Sequence, residues 1–386
     1  MSQTMIRKLV AVLAALCLTL GVAACGSDND SGTENSSGAT AETSGNNAEA
    51  AAVVEKAKTP PTWQGPKDSP PPAKDKFVID IPCTQAAIGC KRPGDAFLEA
   101  AKVMGWKTQL IDPAGDPKKV QSAMRQAISL GADAVFVTGT PLSAFSGVVP
   151  ALKKAGVKLI SMSGTEAKPK DPNGWDAVIN NDYVLDTPPI AAYIATHSGG
   201  KANVLLINDS EFPQVDHGIQ SMKTDLAKYC PDCKVAGEMD FSIVDIATTF
   251  PTRVKAELQA HPDVDWVYAP YDFAGTFVAT AIKQMGKAGK IKVVGIDGNP
   301  QNIQNIKDGV QAVTVARSTE WVGWAAVDQV NRIFQGQPTV DDADGYQGEG
   351  YARKLIDKDN LPADVAAPWT GDVDFRSEYR KIWGIK

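Results

Sequence analysis

The feature that most limits the possible folds of this chain is a regular alternation of short apolar runs with segments of helical periodicity, from Phe77 to Phe334. Short apolar runs flanked by helices are typical of a parallel sheet that helices cover on both faces. The runs predict strands at 77–81, 107–111, 134–137, 157–161, 203–207, 234–239, 266–269, 292–296 and 312–315. The segments between them predict helices at 94–104, 117–130, 143–155, 183–197, 215–229, 247–260, 273–285, 303–307 and 322–334.

The number of strands predicts two sheets. Roughly ten strands are more than one open sheet usually holds, so the predicted fold class is α/β with two doubly wound, Rossmann-like lobes. In such sheets ligands bind beyond the carboxyl ends of the strands. The cleft between the two lobes is therefore the predicted binding site.

Composition excludes two classes of protein. The chain has 386 residues and a formal net charge of -6 at pH 7, without a cluster of Lys or Arg that could bind phosphates. Nucleic acid is therefore not an expected partner. The one apolar run that approaches membrane length lies at the N-terminus, which excludes a polytopic membrane protein.

The N-terminal residues have the organisation of a secretion signal. Two basic residues precede an apolar run at 9–20, and small residues follow and end at Cys25. The sequence Val-Ala-Ala-Cys resembles the bacterial lipobox, whose cysteine is lipidated and becomes the first residue of the mature protein. We therefore predict a lipoprotein signal peptide at 1–24, a lipidated Cys25, and a location on the outer face of the cytoplasmic membrane. Secretion without a lipid and an uncleaved anchor remain alternatives.

The segment that follows predicts a tether. Residues 26–75 are rich in Gly, Ser, Asn and Pro and contain few large apolar side chains, Trp63 among them. Such a composition cannot offset the entropy of ordering, so 25–75 is predicted to be a lipidated, disordered tether. Trp63 is either loose or docked on the globular body.

Several segments in a fixed order carry a resemblance to a known family. They are 114–117, 126–135, 261–264 followed by Tyr271 and Asp272, 293–300, and 313–317. Together they resemble the ribose-type periplasmic sugar-binding proteins. The resemblance implies the type I architecture, in which three crossover segments join the lobes and the closed form delivers its ligand to an ABC importer. The related lac-repressor-like regulators begin with a helix-turn-helix, whereas this chain has the lipobox-like sequence in that position.

The resemblance also implies lobe boundaries. The N-terminal lobe is expected at 76–181 plus about 317–342, and the C-terminal lobe with a tail at 182–316 plus about 343–386. The hinge is expected near 181–183, 315–318 and 340–346. Four aromatic residues in the tail predict that it packs on the body: Trp369, Phe375, Tyr379 and Trp383.

The family's ligand-binding positions can be carried over to this sequence. Tyr271 and Asp272 occupy the place of an Asn-Asp pair, and Asp297 that of the Asp in a Gly-x-Asp-Gly turn. Arg317 takes the place of a hinge-side Gln. His217 lies near the position of the family's ligand-binding Arg at a helix start. Asp182 lies near the position of the polar residue that opens the crossover helix. Structural alternatives are a helix N-cap for Asp272, a turn for Asp297 and a hinge ion pair for Arg317.

Departures from the family pattern concern the first lobe. Thr84 and Gln85 stand where sugar binders carry Asn and stacking Phe, and Ser163 stands near the place of an Asp-Arg pair. An unpaired ligand hydroxyl in a dry cleft costs about 1 to 3 kcal/mol of binding free energy. The resemblance therefore supports the fold more strongly than it supports an ordinary hexose as the ligand. The predicted ligand is a sugar, polyol or modified sugar. The alternative is a less polar, aromatic or steroid-like ligand held by aromatic walls: Trp175, Phe212, Tyr271 and Trp321.

Four cysteines remain after the predicted signal and lipidation site. In an oxidising compartment they predict two local disulfides, Cys83 with Cys90 and Cys230 with Cys233. A redox pair and a four-Cys zinc site are the alternatives. The three His residues have no metal-ligating spacing, and no nucleophile elbow, phosphate loop or dinucleotide turn occurs. No metal, cofactor or enzymatic activity is therefore expected.

The predicted function is that of a lipid-anchored, monomeric solute-binding protein that presents a small molecule to an ABC permease in the membrane. The alternatives are a sensory receptor with the same cleft and an enzyme whose catalytic residues converge only in space.

Overall fold

The computed structural model describes residues 37–162, 174–179, 183–343 and 345–386, with the side chains of 37–47 and of residue 117 excepted. The predictions for Cys25, Ser163 and Asp182 and the signal peptide lie outside these residues. The apolar runs form two sheets, which confirms the predicted fold class. The strands are β1 (Phe77–Pro82), β2 (Lys107–Leu110), β3 (Ala134–Thr138), β4 (Lys158–Met162), β5 (Ala177–Ile179), β6 (Asn203–Asn208), β7 (Lys234–Asp240), β8 (Trp266–Tyr268), β9 (Lys292–Asp297), β10 (Gln311–Arg317) and β11 (Arg353–Asp357).

Both sheets have the order of doubly wound folds. The first sheet has the order β2-β1-β3-β4-β5 and is parallel throughout. The second has the order β11-β10-β9-β8-β6-β7, with β11 antiparallel to β10 and the other pairs parallel. The central strands are buried on both faces, as a parallel sheet between helices requires.

Helices cover both sheets. They are α1 (Ser37–Lys58), α2 (Ile88–Val103), α3 (Pro117–Leu130), α4 (Val149–Lys154), α5 (Thr187–His197), α6 (Pro213–Tyr229), α7 (Phe250–Ala260), α8 (Asp272–Gln284), α9 (Pro300–Lys307), α10 (Thr319–Phe334) and α11 (Phe375–Ile382). Within the described ranges, no helix combines the length and the apolar character needed to cross a bilayer.

Between β1 and β11 the chain passes between the two lobes three times. It crosses from β5 towards α5, from β10 to α10, and from α10 back to β11. The helix α10 packs against α2 and thereby belongs to the first lobe. Their contact depends on Gly323, because a Cβ there would lie 2.5 Å from the backbone nitrogen of Phe97. The two helices can approach this closely only with glycine at that position.

The prediction of a disordered tether is wrong for the described part of 25–75. The helix α1 packs on α5 and β11, and its Ala50 and Val54 are buried. Residues 59–75, which we call the strap, then run to the first lobe, where the ring of Trp63 stacks on Trp321 at 4.8 Å. Composition suggested disorder because the segment has few large side chains, but small residues allow close helix packing and one tryptophan anchors the strap.

The C-terminal tail packs on the body, as predicted. The four aromatic side chains of that prediction, Trp369, Phe375, Tyr379 and Trp383, are at most 4% exposed, and the rings of Trp324 and Trp383 stack at 5.2 Å. The predicted assignment of all of 343–386 to the second lobe is wrong in part. The strand β11 extends the second sheet, whereas α11 packs on α10 of the first lobe. Aromatic side chains of α10 and α11 pack together, although the family pattern assigns these two helices to different lobes.

Candidate functional site

A cleft lies between the lobes at the carboxyl ends of the strands. The inner part of this cleft contains about 530 Å³ of empty space, some of it open to solvent. The lobes touch at its edges, since Cys83, Ala87 and Cys90 belong to the same buried apolar cluster as Phe212 and Tyr271. Residues of both lobes line the inner cleft: Ala87, Gly89, Cys90, Thr138, Gly139, Met162, Tyr183, Phe212, Gln214, Val215, Ile243, Tyr271, Phe273, Asp297 and Thr319.

The wall from the first lobe is built around a disulfide. Cys83 and Cys90 are bonded, as are Cys230 and Cys233, in the two predicted pairs. The first bond closes the loop between β1 and α2. Gly139 lies against it with a φ of +73°, and a Cβ there would come within 3.2 Å of the Cys83 Cβ. A side chain at Gly139 would thus conflict with both the backbone conformation and the disulfide.

Thr138 places a hydroxyl at this wall. It is the last residue of β3 and is 3% exposed. Its Oγ1 is buried and has no hydrogen-bond partner among the residues that the structure describes. A buried polar group without a partner is costly, so a ligand that supplies one would gain from this position.

The wall from the second lobe is aromatic. Phe212 precedes α6 and Tyr271 precedes α8, and both rings line the cleft. The Tyr271 hydroxyl donates to Asp209 Oδ2 at 2.7 Å. Burial raises the pKa of Asp209 to about 7. Because its hydroxyl is already bonded, Tyr271 presents mainly its ring to the cleft.

Asp297 is the polar centre of the cleft. It ends β9 with a φ of 123°, which is unusual for a residue other than glycine. Its Oδ1 accepts from Arg317 Nη2 at 3.1 Å, while Oδ2 faces Gly89 of the other lobe, 3.7 Å from where a Cβ there would lie. Burial raises the pKa of Asp297, and Arg317 and Arg92 oppose that rise. Among the described lining residues Asp297 carries the only formal charge.

Asp272 holds the turn that presents Asp297. Its Oδ2 accepts from the backbone nitrogens of Gly298 and Asn299 at 2.8 and 3.1 Å. Its Oδ1 accepts from Gln311 Nε2 at 3.1 Å. The side chain is fully buried behind the wall, so Asp272 supports the turn and does not line the cleft.

Arg92 ties the same turn to the first lobe. Its guanidinium pairs with Glu320 through Nε and Nη2, at 2.8 and 2.9 Å. Its Nη1 donates to Asn299 Oδ1 at 2.9 Å, and its Nη2 to the carbonyl of Trp369 at 2.9 Å. One side chain of α2 thus joins α10, the turn after β9 and the C-terminal tail.

A group of charged side chains joins the three crossovers, and we call it the hinge triad: Asp186, Arg317 and Arg353. Asp186 lies 3.5 Å from Arg317 Nη1 and 3.1 Å from Arg353 Nε. The Arg317 guanidinium also stacks on the Tyr183 ring at 4.2 Å. Asp186 follows the first crossover, Arg317 begins the second, and Arg353 ends the third. Arg317 therefore makes the hinge ion pair that was the structural alternative for this residue. The same side chain also binds Asp297 and so connects the hinge to the cleft.

The structure brings some of the predicted residues together and separates others. Phe212, Tyr271 and Asp297 line the inner cleft, and Arg317 lies directly behind Asp297. Thr84 lines an adjoining outer chamber. The remaining described ones lie elsewhere: Gln85 in the loop before α2, Trp175 against Phe145, His217 exposed on α6, and Trp321 beneath Trp63.

Sequence reasoning missed most of the apolar lining and Thr138. Thr138 and Met162 could have been found, because each ends a parallel strand of the first sheet where ligands bind. Tyr183, Gln214 and Thr319 carry no comparable signal. Across the described ranges, no group of three or more His, Cys, Asp or Glu side chains could hold a metal ion.

The comparisons with known proteins agree with this geometry. The family described as periplasmic binding protein domain matches residues 81–338. The ribose import binding protein of Bacillus subtilis is 26% identical over 282 residues, which cover 72% of this chain and 88% of that protein. The ribose import binding protein of Salmonella typhimurium is 24% identical over 271 residues, or 69% of this chain and 86% of that protein.

Solved structures share the fold. A solute-binding protein of an ABC transporter from Burkholderia graminis, in complex with D-arabinose, has a TM-score of 0.65 and 22% identity. The match covers 75% of this chain and 98% of that one. A protein of the same class from Actinobacillus succinogenes, with bound D-allose, has a TM-score of 0.64, 19% identity, and coverage of 75% and 99%. This chain belongs to the periplasmic binding protein domain family and is similar to ribose import binding proteins over most of its length.

Proposed function

We propose that this protein captures a small, neutral, hydroxylated ligand in the inner cleft and presents its closed form to an ABC importer. The observation that carries the proposal is a pair of polar residues, Thr138 and Asp297, that line the cleft from opposite lobes. Thr138 offers a buried hydroxyl without a partner, and Asp297 offers a carboxylate oxygen. A ligand that bonds to both groups links the lobes and stabilises the closed state relative to the open one.

The charge balance supports a neutral ligand. The negative charge of Asp297 is already paired with Arg317, which is fully buried. A cationic ligand would have to compete with that arginine, and an anionic one would meet the carboxylate. A hydroxyl can donate to the carboxylate without disturbing the pair.

The apolar walls favour a sugar derivative or polyol with few hydroxyls. Ala87, Cys90 and Met162 line the first lobe where a fully hydroxylated sugar would need donors and acceptors. The rings of Phe212 and Tyr271 are suited to the C–H face of a sugar ring. The same walls make a less polar, aromatic or steroid-like compound the second candidate.

A ligand screen with matched variants tests the proposal. Thermal shifts should be recorded with pentoses, hexoses, deoxy sugars, polyols, aromatic acids and steroids. A ligand at 100 times its Kd adds about 2.7 kcal/mol of stability. Asp297→Asn and Thr138→Val should each weaken binding at least about tenfold, because the first removes a charged acceptor for a ligand hydroxyl and the second leaves a ligand group without a hydrogen-bond partner.

The control is Asp263→Asn, which removes the same charge from an exposed site on the second lobe. It should leave binding unchanged. Equal affinity in the Asp297 variant and the control would refute the assignment of the site. A screen in which only steroids or aromatic acids bind would replace the proposed ligand by the second candidate.

We also propose that Cys25 is lipidated after cleavage of residues 1–24 and that the mature protein is a monomer on the outer face of the cytoplasmic membrane. The charged, apolar and small-residue regions before Cys25 support the lipid anchor. Cells expressing the full chain should yield a membrane-bound form with an acylated N-terminal peptide in mass spectrometry. Cys25→Ser should abolish that form. Light scattering of the solubilised protein should give the monomer mass, and a dimer mass would contradict the second part of the proposal.

A further inference from the structure

A second hollow adjoins the inner cleft, and we call it the outer chamber. It contains about 920 Å³ of empty space, partly open to solvent, and shares Gly139, Phe212 and Ile243 with the inner cleft. Its remaining lining comes from both lobes: Cys83, Thr84, Gly115, Val120, Thr140, Pro141, Ala144, Glu211 and Val244. The two spaces are thus neighbours, and Phe212 and Ile243 belong to the lining of both.

Two polar side chains of the outer chamber are bonded within the protein. Glu211 accepts from Ser242 Oγ at 2.8 Å and from the backbone nitrogen of Ile243 at 3.0 Å. Thr84 Oγ1 accepts from the backbone nitrogen of Ala86 at 3.1 Å. Thr140 is the third polar side chain of the lining, and the other lining residues are apolar or glycine, so the outer chamber offers a ligand a mainly apolar surface.

The rim of the outer chamber carries an exposed apolar side chain. Val244 is 65% exposed, more than the other large apolar side chains that are exposed in the described residues. It lies on the short helical turn Ile243–Asp245, which Glu211 fixes in place. Its Cγ1 lies 3.6 Å from where a Cβ on Gly115 of the other lobe would be. A ligand in the outer chamber would cover this surface and gain the free energy of apolar burial.

We infer that the outer chamber is a subsite for an apolar substituent of the ligand. The ligand class is a glycoside or similar polyol derivative, whose hydroxylated part contacts Asp297 and Thr138 and whose alkyl or aryl group extends past Phe212. This inference rests on the proposed function, because it takes the inner cleft as the site of the hydroxylated part. The apolar side chains on both lobes supply the surface: Val120, Pro141 and Ala144 from the first, Ile243 and Val244 from the second.

Matched glycosides test the subsite. Calorimetric titrations of the mature chain would compare the methyl and hexyl β-glycosides of glucose, galactose, xylose and arabinose. Each fully buried methylene tightens binding by about fourfold. Because part of the chain stays near solvent, we expect the hexyl glycoside to bind at least about tenfold tighter than the methyl glycoside of the same sugar.

Two variants with the same chemical change locate the effect. Val244→Ser should reduce the gain from the hexyl group at least about threefold and leave the affinity for the methyl glycoside unchanged. The control is Val235→Ser, since Val235 is 44% exposed on β7 and does not line the outer chamber. It should change neither affinity.

The outcomes separate this inference from the proposed function. Equal affinities for methyl and hexyl glycosides, both lost in Asp297→Asn, would overturn the subsite and leave the proposed function intact. A hexyl gain that is the same in both valine variants would indicate nonspecific binding and overturn the subsite as well. If none of these glycosides binds, the subsite is refuted, whereas the proposed function is decided by the separate screen with sugars and polyols.

Discussion

The hinge triad allows a quantitative prediction for Asp186→Asn. The Asp186 side chain is fully buried and faces two arginines, at 3.5 Å to Arg317 and 3.1 Å to Arg353. At an effective dielectric constant of about 20, charges at these distances attract each other by about 5 kcal/mol per pair. The cost of burying the three ions offsets much of this attraction in the intact triad.

Replacing the Asp186 carboxylate alone leaves the positive charges of Arg317 and Arg353 with less negative charge nearby to balance them. Arg317 keeps Asp297 as a partner, whereas Arg353 is 24% exposed and regains part of its hydration. Breaking a buried pair in this way costs about 3 to 5 kcal/mol. We therefore expect Asp186→Asn to lower the free energy of unfolding by that amount, and Arg353→Gln by about 1 to 2 kcal/mol.

Urea unfolding monitored by tryptophan fluorescence measures these changes. The loss in the double variant should be smaller than the sum of the two single losses, because both remove the same contact. Asp263→Asn, an exposed site with the same charge change, should stay within about 0.5 kcal/mol of the wild type. An Asp186 variant as stable as this control, or strictly additive losses, would show that the triad does not hold the crossovers together.

Three further predictions concern the rest of the molecule. Gly323→Ala should lower stability by at least about 1 kcal/mol in thermal unfolding, since its Cβ would meet the backbone of α2 at 2.5 Å. Gly147→Ala, which has open space around it, should not. Burial without a hydrogen-bond partner raises the pKa of Asp80 well above its usual value. The folded state thus keeps a proton that the unfolded chain loses near pH 4, so stability falls as the pH rises above about 4, by up to about 1.4 kcal/mol per pH unit. Asp80→Asn should remove the Asp80 contribution and make the slope of stability against pH, measured by urea unfolding between pH 4 and 8, less steep, while the buried Asp209 and Asp297 keep their contributions. An unchanged slope would contradict the assignment. Trp63→Ala removes a ring stacked on Trp321 and should cost about 2 kcal/mol; an unchanged melting temperature would show that the strap contributes little.

Local signals explain why some elements were predicted well. The helix α3 has its predicted bounds because Asp116 caps its start and accepts from the Lys118 nitrogen, and Gly131 ends it with a φ of 73°. The start of α2 was predicted six residues too late, at 94 instead of Ile88, because Pro93 indicates a helix start and here lies inside the helix. The strand β5 has three residues and was missed because so short a run has no periodicity.

The candidate site was only partly predictable. Asp297 follows a buried strand and stands in a recognisable turn, so both position and chemistry pointed to it. Trp321 offered the same aromatic signal as Phe212, yet it lies 0% exposed under the strap and the tail. Asp272 also looked like a ligand contact, but the backbone of the turn before α9 takes up its oxygens.

Local patterns in the sequence predicted the alternation of strands and helices, the two lobes and the two disulfide pairs, because periodicity, caps and close cysteine spacing act between neighbours in the chain. Three features became visible only in the folded protein: the strap and tail cover α10, Asp186, Arg317 and Arg353 meet at the hinge, and Thr138 and Asp297 line one cleft from opposite lobes. These contacts join residues far apart in sequence. Which of them form depends on the packing of whole lobes, since periodicity specifies the buried face of an element but not its partner.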